Sequence, residues 1–331
     1  MDLKKNIDRY VHEGKLPKKL GDCLQKFFDS YVEALRQNKT NIATHAPILN
    51  QFLELIVEEL QNPSKFEAYH ERITAPFDFY QFGLDLIRPL VIFEESKVYN
   101  SEQLDKMTDQ LAKGENVILL ANHQTEPDPQ AIALLLEKNY NFLAKSMIFI
   151  AGDRVISDPL AIPFSKGCNL LCIFSKKHID NPPERKSDKL LHNKKAMHLL
   201  GTLLSSGGKI IYVAPSGGRD RPNKNGKVEV ANFDPQSIEM FRLIARQSQC
   251  HCHFYPLALA TYNLLPPPSS IEKELGERRH AQCTPIHLSF GNEIDMENFP
   301  GSECIDKHEL RKKRAEHIWK LVVDEYQRFN A

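Results

Sequence analysis

The hydrophobic pattern changes near residue 75, and this change constrains the fold more than any other feature of the sequence. Before it, apolar residues recur at helical spacing in two stripes, from Leu16 to Leu35 and from Leu49 to Leu60. After it, short apolar runs alternate with helical stretches. Because each amphipathic stripe needs a partner, residues 1–75 are predicted to form a small N-terminal helical bundle.

Residues 76–331 are predicted to form a larger α/β domain, with a mainly parallel mixed sheet covered by helices. The predicted strands are Val117–Ala121, Met147–Ala151, Leu170–Phe174, Lys209–Ala214 and His253–Thr261. The helices predicted around them are Pro129–Lys138, His192–Ser205, Gln236–Gln247 and Lys307–Phe329, and Ile179–Lys189 is predicted to be an exposed loop. Ligands bind such sheets at the carboxyl ends of strands, so polar residues that follow a strand are the first candidates for a site.

Composition excludes several classes of function. The chain has 331 residues, of which 41% are hydrophobic and 26% charged, as in globular proteins. Lys+Arg and Asp+Glu both number 43, and a chain with no net charge is not expected to bind nucleic acid. No run approaches the ~18 apolar residues that a membrane span requires, although peripheral contact with a membrane stays open. The odd count of 7 cysteines indicates free thiols in a reducing compartment.

A histidine and a carboxylate, His123 and Asp128, follow the first predicted strand. A neutral imidazole can take a proton from a hydroxyl, and a carboxylate behind it fixes the tautomer and stabilises the imidazolium. The pair therefore suits acyl transfer, with His123 as general base and Asp128 as its orienting partner. The same residues also fit an ordinary helix start, with Asp128 as N-cap and Pro129 as the first helical residue.

Basic residues follow two further predicted strands. After Lys209–Ala214 come Gly217 and Gly218, which let backbone N–H groups approach an anion, and then Arg219 and Arg221, whose guanidinium groups match phosphate. The alternative is a glycine turn with surface arginines paired to the intervening aspartate. After Leu170–Phe174 come Lys177 and His178, which can add a point charge and a hydrogen bond at the same edge of the sheet.

The run Cys250–His253 is the one segment with the composition of a zinc site. Neighbouring residues of a strand face opposite sides, and no second ligand cluster with zinc-like spacing follows. No metal is therefore predicted.

Taken in order, the motifs resemble a known family. The His-x4-Asp signature of glycerolipid acyltransferases lies at Asn122–Asp128. It is followed by Ala151–Arg154, Asp158-Pro159 with Pro163–Ser165, Ser175–His178, Ala214–Pro222 and Pro256–Leu259. This ordered set, within about residues 75–268, closely resembles the soluble, plastid-type glycerol-3-phosphate 1-O-acyltransferases. Membrane-bound relatives usually carry a Glu-Gly-Thr-Arg-like block where this chain has Ser216–Arg219, which favours the soluble branch.

The resemblance implies a helical bundle before an α/β domain, as predicted above. It also implies transfer of an acyl group from acyl carrier protein, or from acyl-CoA, to the sn-1 hydroxyl of glycerol 3-phosphate, without a cofactor. The expected location is the bacterial cytoplasm, or the plastid stroma for a mature plant form. By resemblance, His123 and Asp128 are the catalytic pair, Lys177, His178, Arg219 and Arg221 hold the phosphate, and Gly217, Gly218, Asp153 and Arg154 support the site.

Three alternatives remain open at this point. The acceptor could be another phosphorylated molecule, such as lysophosphatidate. The chain could be a metal-dependent phosphoesterase, with His123, Glu126 and Asp128 as ligands. It could also be a non-enzymatic lipid carrier, which would keep the basic residues without needing the His–Asp pair.

Overall fold

The computed structural model of the chain describes residues 3–175, 179–268 and 278–330. Its helices are α1 (Leu3–His12), α2 (Lys18–Gln37), α3 (Ile42–Gln61), α4 (Phe79–Ile87), α5 (Glu102–Ala112), α6 (Asp128–Ser146), α7 (Ile162–Lys166), α8 (Lys186–Ser206), α9 (Pro235–Gln247) and α10 (Lys307–Gln327). Its strands are β1 (Tyr69–His70), β2 (Lys97–Tyr99), β3 (Asn116–Ala121), β4 (Ile148–Gly152), β5 (Asn169–Ile173), β6 (Ile210–Val213), β7 (Arg221–Pro222), β8 (Val228–Glu229), β9 (Cys252–Ala260) and β10 (His287–Phe290). Within these ranges no helix is long and apolar enough to cross a bilayer.

An 8-stranded sheet with the order β1-β5-β4-β6-β3-β9-β10-β2 forms the centre of the molecule. The five strands from β5 to β9 in this order run parallel to their neighbours, whereas β10 is antiparallel to β9 and β1 is antiparallel to β5. These five parallel strands are the ones predicted from the sequence, so the predicted mainly parallel mixed sheet is confirmed. The carboxyl ends of β3 and β6 lie side by side at one edge.

Helices cover both faces of the sheet, as predicted. Every residue of β3 is buried, and its side chains alternate between two cores. Val117 and Leu119 belong to a core that includes residues of α2, α3, α4 and α6. Ile118 and Leu120 belong to a second core, with residues of α8, α9 and α10 on the opposite face.

The N-terminal helices pack against the rest of the chain as well as against each other. The ring of Phe52 on α3 lies 5.9 Å from that of Phe27 on α2. It also lies 6.1 Å from the ring of Phe82 on α4 and 5.5 Å from that of Phe164 on α7. Helices in residues 1–75 are therefore present, while the division into domains at residue 75 stays a prediction.

One predicted loop is partly helical. Helix α8 begins at Lys186, before the predicted start at His192, so the prediction of a loop over Ile179–Lys189 is wrong for its last residues. Lys189 explains the difference, because its side chain is only 5% exposed and its ammonium group donates to the carbonyl of Asn181. The other residues of this first turn, 186–188, are exposed and polar, so the turn has the composition of an exposed loop although it is helical.

Candidate active site

The predicted His–Asp pair is formed at the carboxyl end of β3. Nδ1 of His123 lies 2.7 Å from Oδ2 of Asp128. The aspartate side chain is 1% exposed and the histidine side chain 32% exposed, so the carboxylate lies behind a ring that solutes can reach. When Nδ1–H donates to Asp128, Nε2 carries the lone pair, which is the tautomer that a general base requires.

Besides the ring of His123, two backbone N–H groups and one hydroxyl donate to the carboxylate of Asp128 and fix its position. Oδ2 accepts the backbone N–H of Gln124 at 2.9 Å, and Oδ1 accepts that of Thr125 at 3.2 Å. The hydroxyl of Thr261, just after β9, donates to Oδ1 at 2.6 Å. Helix α6 begins at Asp128 itself, after the N-cap Pro127, so the interpretation of Asp128 as an N-cap is wrong. Its carboxylate turns back to the preceding loop because the ring of His123 and those N–H groups lie there.

The amide side chains of Asn122 and Gln124, on either side of His123, hold the loop of His123 against β9 and the residues that follow it. Asn122 accepts the N–H of Leu259 at 2.7 Å and donates to the carbonyl of Leu259 at 3.0 Å. Gln124 accepts the N–H groups of Thr261 at 2.7 Å and Tyr262 at 2.9 Å. Both amides are fully buried, so these bonds are shielded from water and hold the loop of His123 in one conformation.

Asp220 joins the arginine-containing loop to His123. Its backbone N–H donates to the carbonyl of His123 at 2.6 Å. Its buried carboxylate accepts from Asn122 at 2.7 Å, from Gln124 at 3.2 Å and from the N–H of Ala231 at 2.9 Å. Burial raises the pKa of Asp220 to about 6, and the three hydrogen bonds oppose that rise. The aspartate thus pairs with the motif of His123, whereas the alternative interpretation had paired it with the arginines on the surface.

The structure brings the main chain at Arg219 and Arg221 close to His123, because both residues flank this buried aspartate. Both are partly exposed, and Nη1 of Arg221 lies 3.5 Å from the carbonyl oxygen of Asp220. Gly217, in the same turn, has φ +61 and open space where a Cβ would be, so it is the backbone conformation that favours glycine there. The hydroxyl of Ser216 donates to the carbonyl of Gly218 at 2.8 Å, which closes the turn before the arginines.

The remaining predicted site residues are less closely connected to His123. Asp153 and Arg154 form a short 3-10 turn after β4, at the same edge of the sheet but two strands away from β3. Lys177 and His178 lie outside the described residues. The supporting role of the first pair and the phosphate-binding role of the second stay predictions.

Arg279 connects two of the sequence motifs through a buried ion-pair network. Its guanidinium, 6% exposed, donates to both oxygens of Glu126 at 2.6 and 2.8 Å and to Asp158 at 3.1 Å. Burial alone would raise the pKa of Glu126, but Arg279, with smaller contributions from Arg219 and His123, holds it below its ordinary value. Glu126 is therefore a charged partner of Arg279, and the ligand set proposed for a phosphoesterase would have to break this pair.

Sequence reasoning missed Asn122, Gln124, Thr261 and Arg279 as parts of the site. Asn122 and Gln124 flank His123 and could have been selected as buried polar residues in a loop that follows a strand. Thr261 and Arg279 had no comparable signal, since their partners are 133 and 153 residues away in the chain.

Comparison with known proteins agrees with this geometry. The family model named Acyltransferase matches residues 95–260, which include the His–Asp pair and the arginine-containing loop. The chain is 34% identical to the chloroplastic glycerol-3-phosphate acyltransferase of Arabidopsis thaliana, over 100% of this chain and 72% of the relative. It is 38% identical to the enzyme of that name from Spinacia oleracea, over 98% of this chain and 69% of the relative. With the enzyme of that name from Pisum sativum it shares 37% identity, over 98% of this chain and 72% of the relative.

These relatives are named chloroplastic, which agrees with the plastid alternative of the predicted location. The identities exceed 30% over almost the whole chain, and the matched family model includes both halves of the candidate site. The chain therefore belongs to the glycerol-3-phosphate acyltransferase family.

Proposed function

We propose that this chain transfers an acyl group from a thioester donor to the sn-1 hydroxyl of glycerol 3-phosphate, giving 1-acylglycerol 3-phosphate. Acylation of glycerol 3-phosphate is supported by relatives that match nearly the full length of the chain. The choice of the sn-1 hydroxyl rests on the resemblance of the motifs. We further propose that no cofactor takes part, because the His–Asp pair can supply the proton transfers that the reaction needs.

The observation that carries the proposal is the hydrogen bond between the main chain of His123 and the arginine-containing loop. A partly exposed imidazole bonds to a buried carboxylate at 2.7 Å. The main chain of the same histidine accepts at 2.6 Å from Asp220, which lies between Arg219 and Arg221. We infer that a phosphate held by the two guanidinium groups has its glycerol hydroxyls within reach of the ring. This arrangement suits a small phosphorylated alcohol.

The proposed reaction is direct transfer. Nε2 of His123 takes the proton of the hydroxyl as its oxygen attacks the thioester carbonyl. Asp128 keeps the ring oriented and stabilises the imidazolium that forms. The tetrahedral intermediate then collapses, the C–S bond breaks, and the imidazolium returns the proton to the departing thiolate. The new ester and a free thiol are the products, and a positioned base of this kind contributes roughly 10²–10⁴ in rate.

We propose that Arg219 and Arg221, together with Lys177 and His178, hold the phosphate. Guanidinium groups bind phosphate with two parallel hydrogen bonds, each contributing about 1.5–3 kcal/mol. Acyl carrier protein is the proposed donor, by family resemblance, with acyl-CoA as the alternative.

The proposal is tested by release of free thiol from acyl carrier protein and CoA thioesters, each with glycerol 3-phosphate or lysophosphatidate as acceptor. We expect thiol release that depends on glycerol 3-phosphate, and we expect His123→Ala to lower kcat by at least about 10² without loss of glycerol 3-phosphate binding. The matched control is His308→Ala, which removes an exposed imidazole on α10. Turnover with lysophosphatidate alone would identify a different acceptor, and normal turnover of His123→Ala would exclude His123 as the base.

A further inference from the structure

A second cluster of potential ligands lies at the opposite end of the sheet. His251 and His253, at the start of β9, and Glu293, shortly after β10, place one ligand atom each within 4.8 Å of one another. The two histidine rings are 4.4 Å apart. Their ring contact places His251, which directly precedes β9, on the same side as His253, and the carboxylate of Glu293 reaches that side from the segment after β10. The sequence prediction of no metal overlooked this carboxylate, which lies 40 residues beyond His253.

The ring of His253 lies between two carboxylates. Nδ1 is 2.6 Å from Oε1 of Glu293, and Nε2 is 3.0 Å from Oε2 of Glu115. A neutral imidazole has one N–H and can donate to only one carboxylate, so the other would face a lone pair. The side-chain N–H of Gln110 also approaches Nδ1 at 3.0 Å, which suits an unprotonated Nδ1. A cation at Nδ1 would let this nitrogen and Glu293 bind the same centre.

We propose that His251, His253 and Glu293 bind one divalent transition-metal ion of the zinc class. Nδ1 of His253 is the ligand atom, and its Nε2–H donates to Glu115, the outer carboxylate that commonly orients a metal-bound histidine. Two imidazoles and a carboxylate favour Zn²⁺ and its neighbours over Mg²⁺ or Ca²⁺. Ligand distances of about 2.0–2.2 Å require small side-chain rotations, which are open to His251 and Glu293 because both are exposed.

The neighbouring cysteines are directed elsewhere. Sγ of Cys252 lies 3.4 Å from Oγ of Ser248 and 3.5 Å from Nδ2 of Asn116. Sγ of Cys250 lies 3.4 Å from the carbonyl oxygen of Ser205. The proposed ligand set is therefore nitrogen and oxygen, without sulfur.

The proposed site is separate from the His–Asp pair. Cys252 is paired with Asn116 at the amino end of β3, whereas His123 follows the carboxyl end of the same strand. Six residues of strand span about 20 Å, so an ion at this position would not contact the acyl acceptor. It would instead connect the start of β9 with the segment after β10, and its effect would be on stability.

The test is calorimetric titration of the metal-stripped full chain with Zn²⁺, together with thermal unfolding with and without the ion. We expect one Zn²⁺ per chain and a higher Tm when it is bound, since an ion that binds only the folded state stabilises it. His251→Gln removes one ligand but leaves His253 between Glu115 and Glu293. We expect this variant to bind Zn²⁺ at least about tenfold more weakly and to keep the Tm of the metal-free wild type.

Two further measurements make the result specific. Co²⁺ in place of Zn²⁺ should give visible d–d bands without a thiolate charge-transfer band, and His308→Gln, which removes an exposed histidine on α10, should bind like the wild type. No Zn²⁺ binding would show that Glu115, His253 and Glu293 form an ion-pair network only and would overturn the proposal. Unchanged affinity of His251→Gln, or a thiolate band, would overturn it equally.

Discussion

Arg219 tests whether the two halves of the candidate site act on one substrate. The residue precedes Asp220, whose main chain bonds to His123, and its charge helps to lower the pKa of Glu126. We expect Arg219→Ala to raise the KM for glycerol 3-phosphate about 10-fold to 100-fold, as loss of a charge-assisted hydrogen bond would. Steady-state kinetics with varied glycerol 3-phosphate measures this change. Arg246→Ala, at an exposed position near the end of α9, is the control, and an unchanged KM in Arg219→Ala would place the phosphate elsewhere.

Asp220 gives the site a dependence of stability on pH. Its folded-state pKa of about 6 lies above the ordinary value of 3.8, so the unfolded chain loses this proton first as pH rises. The contribution of Asp220 to the free energy of unfolding is therefore fully present below pH 3.8 and is lost as pH rises through about 6. The full change in the free energy of unfolding is roughly 3 kcal/mol, at about 1.4 kcal/mol for each unit by which the folded and unfolded pKa values differ.

Comparison with Asp220→Asn isolates this contribution. Chemical unfolding of both proteins between pH 4.5 and 7 measures the difference in their free energy of unfolding. We expect the wild type to lose stability relative to the variant as pH rises, whatever constant offset the altered hydrogen bonds produce. A difference that does not vary with pH would mean that Asp220 titrates in the folded protein as it does in the unfolded chain.

The sequence predicted part of the candidate site because that part is local. His123 and Asp128 are five residues apart, and a strand followed by a turn is enough to bring them together. Asn122 and Thr261 could not be placed in the same way, because their partners are distant in the chain. Asn122 bonds to β9, 137 residues away, and Thr261 bonds to Asp128, 133 residues away. Those contacts depend on β9 lying next to β3, and strand order cannot be derived from hydrophobic periodicity alone.

Among the elements, the parallel strands were predictable and the edge strands were not. β3 is apolar from Val117 to Ala121 and β9 from Phe254 to Ala260, because both faces of these strands are buried there. Their predicted bounds agree with the structure to within one residue. β1 has two residues and β2 has three, too few for a period to show. Edge strands of this kind are fixed by their neighbours, as β2 is by its pairing with β10.

Close packing between elements makes Gly167 sensitive to substitution. The residue lies between α7 and β5, and a Cβ at this position would be 2.5 Å from the carbonyl oxygen of Phe79 at the start of α4. Because the clash is with backbone, we expect Gly167→Ala to lower the free energy of unfolding by about 1–3 kcal/mol. Gly152→Ala is the matched control, with open space at its Cβ position. Denaturant unfolding of both variants measures the effect, and equal stabilities would mean that α4 shifts without cost.

At the scale of the molecule, one core joins the N-terminal helices to the catalytic half. The same cluster of buried residues contains Phe52 of α3, Phe82 of α4 and Leu119 of β3. Removing the first 75 residues would expose the apolar surfaces of α4 and α7 that pack against α3. We therefore expect the chain to unfold as one unit, although the sequence pattern predicts two domains.

Phe52 and Trp319, on opposite sides of the sheet, provide a test of whether the chain unfolds as one unit. Phe52 is 1% exposed in the first core, whereas Trp319, the single tryptophan, packs against the second core and donates to the carbonyl of Val230 at 3.1 Å. Phe52→Ala should cost about 3–5 kcal/mol, as truncation of a buried aromatic ring does. If unfolding is cooperative, the midpoint followed by Trp319 fluorescence should fall as far as the midpoint followed by far-UV circular dichroism.

Phe142→Ala is the control, because that ring on α6 is 64% exposed and its loss should change stability by no more than about 0.5 kcal/mol. Unequal falls of the two midpoints in Phe52→Ala would favour the division at residue 75. In that case circular dichroism of Phe52→Ala would show an early transition of the N-terminal helices, and the Trp319 midpoint would stay at its wild-type value. The shared aromatic contacts of α3 with α4 and α7 would then have to break at little cost to the sheet, which their burial argues against.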